Sequence, residues 1–194
     1  MKDLIERPFW IFDMDGTLTV PMHDFQEIKR ILQLPLEQPV LESIYELPLK
    51  HQKLALEQLE AWEHAIAEQA KASDDALLLL QYLQSRGVQL AVLTRNTREL
   101  AFVSLLAADM LHFFSEEFIL GRYCAPPKPA ADGIEKILSQ WQASSEQAVM
   151  VGDDPFDILA GRNARVATVF VDRGGPRKAT DTHVVRSLSE LIPD

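Results

Sequence analysis

Short apolar runs alternate with helical segments along most of the chain, and this alternation restricts the fold more than any other feature. The run Phe9–Phe12 stops at an Asp and is too short for a helix, so it predicts a buried strand. Such alternation forms parallel βαβ units, which predicts an α/β fold: a doubly wound, Rossmann-like parallel sheet with helices on both faces. Further strands are predicted at 88–93, 118–120, 148–151 and 166–171, and helices at 76–85, 98–108, 130–141, 156–163 and 187–191.

Residues 21–73 have a different character. Pro21, Pro35, Pro39 and Pro48 separate helical patterns and no strand pattern occurs. We therefore predict a core domain made of residues 1–20 and 74–194, with a small all-helical domain, residues 21–73, inserted after the first strand. The predicted helices of the insert span 23–34, 40–47 and 48–71.

Composition excludes several classes of partner. The 194 residues carry a formal net charge of -10 and no cluster of Lys and Arg, which argues against a nucleic-acid partner. No apolar run has the length of a membrane span, and Cys124 is the single cysteine, so a cytoplasmic location is expected, with no membrane partner. The oligomeric state, monomer or dimer, stays open. An acidic protein repels anions, so an anionic ligand needs local capture by a metal ion, a lysine or helix N-termini.

Polar side chains follow several of the predicted strands. Asp13 and Asp15 follow the first, Thr94 follows the second, and Asp153 and Asp154 follow residues 148–151. In open α/β sheets ligands bind beyond the carboxyl ends of the strands, so these side chains should converge. Of two aspartates one residue apart, one can act as a nucleophile and the other can donate and accept a proton. An ordinary Asp-Gly turn after a strand would show the same sequence pattern.

The segment after residue 151 holds three carboxylates within five residues, Asp153, Asp154 and Asp157. Magnesium prefers oxygen ligands and takes one or two carboxylates, so this cluster with Asp13 predicts an Mg²⁺ site. The alternative is that Asp154 caps a helix, which carries equal weight, and that Asp157 is a solvated acid in the first turn of that helix. Lys128 lies between Pro127 and Pro129, a rigid context for an ammonium. A hydroxyl at 94 with nearby N–H groups would hold a phosphate oxygen.

Together and in this order, Asp13 to Thr17, Thr94, Lys128 and the 152–157 segment resemble the four motifs of the haloacid dehalogenase (HAD) superfamily. The helical insert is similar to the cap of its phosphoglycolate phosphatase-like members. The resemblance covers nearly the whole chain. It implies a HAD-like fold and a magnesium-dependent phosphatase that hydrolyses a small phosphorylated metabolite through an aspartyl-phosphate.

The same resemblance implies a role for each motif residue. Asp13 is the expected nucleophile and a metal ligand, and Asp15 the general acid/base with its carbonyl on the metal. Asp153 is a direct metal ligand. Thr94 and Lys128 clamp the phosphate. The remaining metal-site residues, Asp157 and, with less support, Asp154, act through water.

Several residues depart from the family pattern or lie outside it. Arg95 follows Thr94 where a small polar residue is common; it can contact phosphate or point to solvent, and we favour solvent. The segment 173–175, Arg-Gly-Gly, can line the site entrance or form a surface turn, and we favour the turn. The cap lysines are expected to be solvated. The polar and aromatic residues of the long cap helix can contact substrate or pack between helices, and we favour packing. The lysines are Lys29, Lys50, Lys53 and Lys71, and the helix residues are His51, Trp62 and His64.

Alternative functions stay open to different degrees. A phosphomutase would keep every core motif. A non-catalytic binding protein would be expected to have lost Asp13, Asp15 or Lys128, which are all present. A dehalogenase of this fold would not need Asp15 or the 153–157 cluster, and a phosphonatase needs a cap lysine in a context that none of these lysines has.

Overall fold

A six-stranded sheet forms the centre of the molecule in the computed structural model, which describes residues 2–174 and 178–193. All neighbouring strands pair in parallel, in the order β3-β2-β1-β4-β5-β6. This confirms the predicted doubly wound α/β fold. The strands are β1 Phe9–Phe12, β2 Gln89–Leu93, β3 Ile119–Leu120, β4 Ala148–Gly152, β5 Ala167–Val171 and β6 His183–Val185.

Helices cover both faces of this sheet. The α-helices are α1 Lys2–Ile5, α2 Phe25–Ile31, α3 Val40–Tyr45, α4 Leu49–Ala67, α5 Asp74–Ser85, α6 Arg98–Ala107, α7 Asp132–Trp141 and α8 Pro155–Asn163. Successive side chains of a strand point to opposite faces, and β1 follows this rule. Trp10 and Phe12 pack into one hydrophobic cluster with α5 and α6, whereas Ile11 packs into another with α7 and α8. A central strand buried on both faces therefore reads as a continuous apolar run.

The chain reverses its direction of winding beside β1. From β1 it passes to β2 and β3 on one side, then returns to β4 and continues to β5 and β6 on the other. Phe12 is in register with Val92 of β2 and Val151 of β4. The crevice at such a switch point is where open parallel sheets bind ligands. The residues that follow β1 and β4 consequently face each other across it.

Three helices, α2 to α4, lie between β1 and α5, and we call residues 21–73 the cap. The cap has its own hydrophobic cluster, which includes Ile28, Ile44 and Leu59. Pro48 precedes the first residue of α4 as its N-cap, because a proline there needs no N–H partner. Division of the chain into two domains at these boundaries stays a prediction.

Two short elements do not follow from the sequence pattern. Helix α1 has four residues, and β6 has three, of which only Val185 is buried. An edge strand this short shows no alternation that could predict it. Within the described residues no helix is both long and apolar enough to span a membrane.

Candidate active site

The turn after β1 is a closed loop that presents Asp13 at the sheet edge. The backbone N–H of Asp13 donates to Val151 O at 2.8 Å, which ties the end of β1 to β4. The N–H groups of Leu18 and Thr19 both donate to Met14 O at 2.9 Å. Gly16 has a φ of 84°, and a Cβ there would lie 2.4 Å from Asp153 Oδ2. This loop therefore needs glycine for its conformation and for its close approach to the second aspartate segment.

Three carboxylates converge at this edge. Oxygen atoms of Asp13, Asp153 and Asp157 all lie within 4.8 Å of one another. The Thr17 hydroxyl donates to Asp153 Oδ1 at 3.3 Å, which holds that carboxylate toward the β1 loop. A donor set made only of carboxylate oxygens fits a hard cation such as Mg²⁺.

Asp154 and Asp157 begin helix α8 as a reciprocal capping pair. The Asp154 carboxylate accepts from Phe156 N at 2.8 Å, and Asp157 Oδ2 accepts from Asp154 N at 3.0 Å. Asp154 is thus a helix cap, as one of the two interpretations predicted. Asp154 also lines the cavity described below. The alternative of Asp157 as a solvated first-turn acid is wrong, because its side chain is only 1% exposed.

Lys128 joins the two carboxylate segments. Its Nζ lies 2.6 Å from Asp13 Oδ1 and 2.6 Å from Asp157 Oδ1, and its side chain is buried. Burial alone would lower the pKa of Lys128, but the charges of Asp13 and Asp157 outweigh burial and raise it. Lys128 is therefore a fixed positive charge beside Asp13.

Asp15 lies between the core and the cap. Its Oδ2 accepts from Asn96 Nδ2 at 2.8 Å, and its Oδ1 lies 3.5 Å from Nδ1 of His23, in the cap segment before α2. Burial raises the pKa of Asp15 well above its usual value, and the neighbouring Asp13 adds to this effect. A carboxyl group in this setting is suited to carry a proton.

The loop after β2 contributes three consecutive residues. Thr94 lines the cavity, and its hydroxyl accepts from Asn96 N at 3.1 Å. Arg95 does not point to solvent as expected, because the cap covers it. Its Nη2 donates to both carboxylate oxygens of Glu42 in α3 at 2.7 Å, and the guanidinium stacks 4.6 Å from the Phe156 ring centre.

A second ion pair joins the cap to the core. Arg122, in the loop after β3, pairs with Glu63 of α4, and both side chains are almost fully buried. Burial raises the pKa of Glu63 to about 7, against the lowering effect of Arg122. Next to this pair the Tyr123 hydroxyl donates to Glu60 at 2.8 Å.

His23 is enclosed by aromatic side chains of the cap. Its ring stacks on Phe25 with centroids 5.3 Å apart and meets Trp62 edge-on at 5.4 Å. Burial lowers the pKa of His23 to about 4, so its ring is neutral at pH 7. The packing predicted for Trp62 is thus found, but His51 and His64 are exposed because they lie on the outer face of α4.

The carboxylates that follow β1 and β4, Lys128 and the loop after β2 line one cavity of about 400 Å³ between the core and the cap. Asp13, Asp15, Thr94, Lys128 and Asp153 come from the core side. The cap side consists of Phe25, Lys29, Val40, Leu41, Leu59 and Glu63, among others. All the site residues expected from the sequence, including Arg95, Asp154 and Asp157, line this space.

Comparison with known proteins places the chain in a family. Residues 19–171 match the model of the haloacid dehalogenase-like hydrolases. The chain belongs to this family. A haloacid dehalogenase-like hydrolase domain-containing protein of Arabidopsis thaliana is 29% identical over 95% of this chain and 77% of its own length.

Other proteins that are similar to this HAD-like hydrolase are named as phosphatases. A pyrophosphatase of Halalkalibacterium halodurans is 33% identical over 57% of this chain and 53% of its own length, so the match spans about half of each protein. A solved structure from Haemophilus somnus, titled a predicted phosphoglycolate phosphatase, superposes with a TM-score of 0.72 over 98% of this chain and 97% of that one, at 19% identity. The last match supports the fold alone.

The prediction of a surface turn after β5 is wrong for Arg173 of this HAD-like hydrolase. Arg173 donates to the carbonyl oxygens of Gly16 at 3.0 Å and Thr17 at 3.3 Å, and it pairs with Asp75 of α5. Arg173 therefore holds the Asp13 loop in place. Strand order makes this contact possible, because only β4 lies between β5 and β1. Gly175, the third residue of that segment, lies outside the described residues.

Sequence reasoning also missed Asn96, His23, Glu42 and the Arg122–Glu63 pair. Asn96 gave a weak signal, because it lies two residues from Thr94 and so near the same sheet edge. The others gave none, since their contacts depend on how the cap rests on the core.

Proposed function

We propose that this HAD-like hydrolase is a magnesium-dependent phosphatase that cleaves a small phosphorylated metabolite through an aspartyl-phosphate on Asp13. The observation that carries the proposal is the convergence of Asp13, Lys128 and the 153–157 carboxylates at the switch point of the sheet. The pyrophosphatase name of the Halalkalibacterium halodurans relative supports the same class of reaction.

The proposed first step is attack by Asp13 on the phosphorus atom. Lys128 holds Asp13 Oδ1 and so fixes the orientation of the carboxylate. A positive charge is needed there because an anionic nucleophile is otherwise repelled by an anionic phosphate. The Thr94 hydroxyl and the backbone N–H groups that follow it would hold a phosphate oxygen, with Arg95 as a further contact if it leaves Glu42.

Asp15 would donate a proton to the leaving oxygen and then accept one from the attacking water. Its raised pKa supports a protonated resting form, and the bond from Asn96 together with the contact to His23 fixes its position. As Asp15 Oδ2 already accepts from Asn96, the proton is expected on Oδ1. Hydrolysis of the aspartyl-phosphate regenerates Asp13 and releases phosphate.

A magnesium ion would be held by Asp13, Asp153 and the backbone carbonyl of Asp15, with Asp157 and Asp154 acting through water. When bound, such an ion would supply positive charge against the transferred phosphoryl group. The three converging carboxylates fit such an ion.

The cap would exclude water from this reaction and choose the substrate. Two ion pairs, Arg95–Glu42 and Arg122–Glu63, join it to the core. Such closure strengthens every electrostatic interaction inside the site.

The test is phosphate release from p-nitrophenyl phosphate and from pyrophosphate by the purified protein, with magnesium and with a chelator. We expect magnesium-dependent release that Asp13→Asn abolishes, because Asn is nearly isosteric but not nucleophilic. Circular dichroism should show that the variant is folded. Substantial turnover by folded Asp13→Asn would contradict the covalent mechanism.

A further inference from the structure

Lys29 is a buried cation in the cap. It lies in α2 and is only 7% exposed, and its Nζ donates to Leu36 O at 2.8 Å. The expectation of a solvated side chain is therefore wrong for this lysine, although it holds for Lys50, Lys53 and Lys71, which are exposed. Within residues 2–174 and 178–193 no carboxylate lies within ion-pairing distance of Nζ. A buried ammonium without a counter-ion is costly, so its position calls for an explanation.

Lys29 lines the same cavity as Asp13. The two other cations of that lining already have partners: Lys128 pairs with Asp13 and Asp157, and Arg95 pairs with Glu42. One carbonyl oxygen satisfies one of the three N–H donors of an ammonium, which leaves two for a ligand.

The acidic residues of the cavity lining do not cancel the charge of Lys29. The Glu63 carboxylate, on the cap side of the lining, is held by Arg122. Glu37, the remaining acid on the cap side, is exposed. An anionic group that enters between the cap and the core would thus meet one unpaired positive charge on the cap side.

We propose that Lys29 binds a second anionic group of the substrate, a carboxylate or a phosphoryl group, remote from the phosphoester that is cleaved. The substrate class is then small organic phosphates with two anionic groups. This inference rests on the proposed function, since it takes the first phosphate to lie at Asp13.

A competing explanation is purely structural: Lys29 would only tie the 32–39 loop through Leu36 O. Lys29→Gln separates the two roles, because the amide can still donate to a carbonyl but carries no charge. Lys53→Gln is the matched control, since Lys53 lies on α4 of the cap with its side chain 86% exposed.

The experiment is calorimetric binding with magnesium in an Asp13→Asn background, which removes turnover. Two matched pairs of probes are compared: 2-phosphoglycolate with ethyl phosphate, and propane-1,3-diol bisphosphate with propyl phosphate. We expect the member with the second anion to bind roughly ten- to a hundredfold more tightly, the range for a hydrogen bond to a charged group. The carboxylate and bisphosphate pairs show which anion Lys29 prefers.

This preference should fall to near one in Lys29→Gln and survive in Lys53→Gln. Equal binding within both pairs in the Asp13→Asn background, or a preference that persists in Lys29→Gln, overturns the inference. Since binding is measured without catalysis, failure of the wild-type protein to release phosphate from p-nitrophenyl phosphate, from pyrophosphate and from all four probes would refute the proposed function and leave the binding result interpretable.

Discussion

Replacement of Gly16 by alanine tests how closely the Asp13 loop is fitted to the metal-site carboxylates. At this position φ is 84°, and the new Cβ would lie 2.4 Å from Oδ2 and 2.8 Å from Cγ of Asp153. Gly87 offers a matched control, since its φ of 71° is similar but nothing lies within 4 Å of a Cβ built there. The two substitutions share the backbone strain and differ in the contact with Asp153.

The structure gives a magnitude for each effect. A non-glycine residue in the left-handed region costs roughly 1–2 kcal/mol, so both variants should lose about that much stability. For a chain of this size that is a fall of about 2–8 °C in melting temperature. Ordinary contact begins near 3.4 Å, so in Gly16→Ala the Asp153 carboxylate must also retreat by about 1 Å. A misplacement of that size in a catalytic site can cost about a hundredfold in rate.

The assay is thermal unfolding together with magnesium-dependent hydrolysis of p-nitrophenyl phosphate. We expect Gly16→Ala to lose about a hundredfold in kcat/KM and to need more magnesium, while Gly87→Ala loses stability alone. Equal kcat/KM for the two variants would refute the reasoning, because it would mean that Asp153 tolerates the intrusion or plays no part in the reaction.

Other variants test the metal site and the buried charges. Asp153→Ala should raise the magnesium concentration needed for half-maximal activity at least tenfold; an unchanged requirement removes Asp153 from the site. Arg122→Met should lower the free energy of unfolding by about 3–5 kcal/mol at pH 8 in urea titrations, because Glu63 is left buried without its counter-charge and must stay charged or take up a proton, and a loss under 1 kcal/mol would contradict this. Burial lowers the pKa of His23 from 6.5 to about 4. Between pH 4 and pH 6.5 the unfolded chain therefore binds a proton at His23 and the folded chain does not. Stability should therefore fall as pH falls from 6.5 to 4, by up to about 3 kcal/mol relative to His23→Phe, and parallel stability curves for the two proteins would refute the burial of a neutral ring.

Much of the fold was predictable because the local pattern of apolar and polar residues indicates where strands and helices form. Phe9–Phe12 is the strand that the apolar run indicates, and β2, β4 and β5 lie within one residue of their predicted limits. The cap helices end earlier than predicted, α4 at Ala67 rather than at 71, because periodicity alone does not mark a helix end. Strand β6 escaped prediction since it takes its hydrogen bonds from β5 and has too few buried residues to show a pattern.

The sequence by itself determined which carboxylates, which lysine and which hydroxyl lie at the sheet edge, because the residues that follow parallel strands lie at the same edge of the sheet. Only the tertiary structure decided the environments of Lys29, Arg95, His23 and Glu63. Their burial and contacts require the cap to rest on the core, as in the pairing of Arg95 with Glu42, which lie 53 residues apart. Whether a charged side chain is solvated or buried depends on the surface that covers it, and the spacing of residues along the chain does not predict that surface.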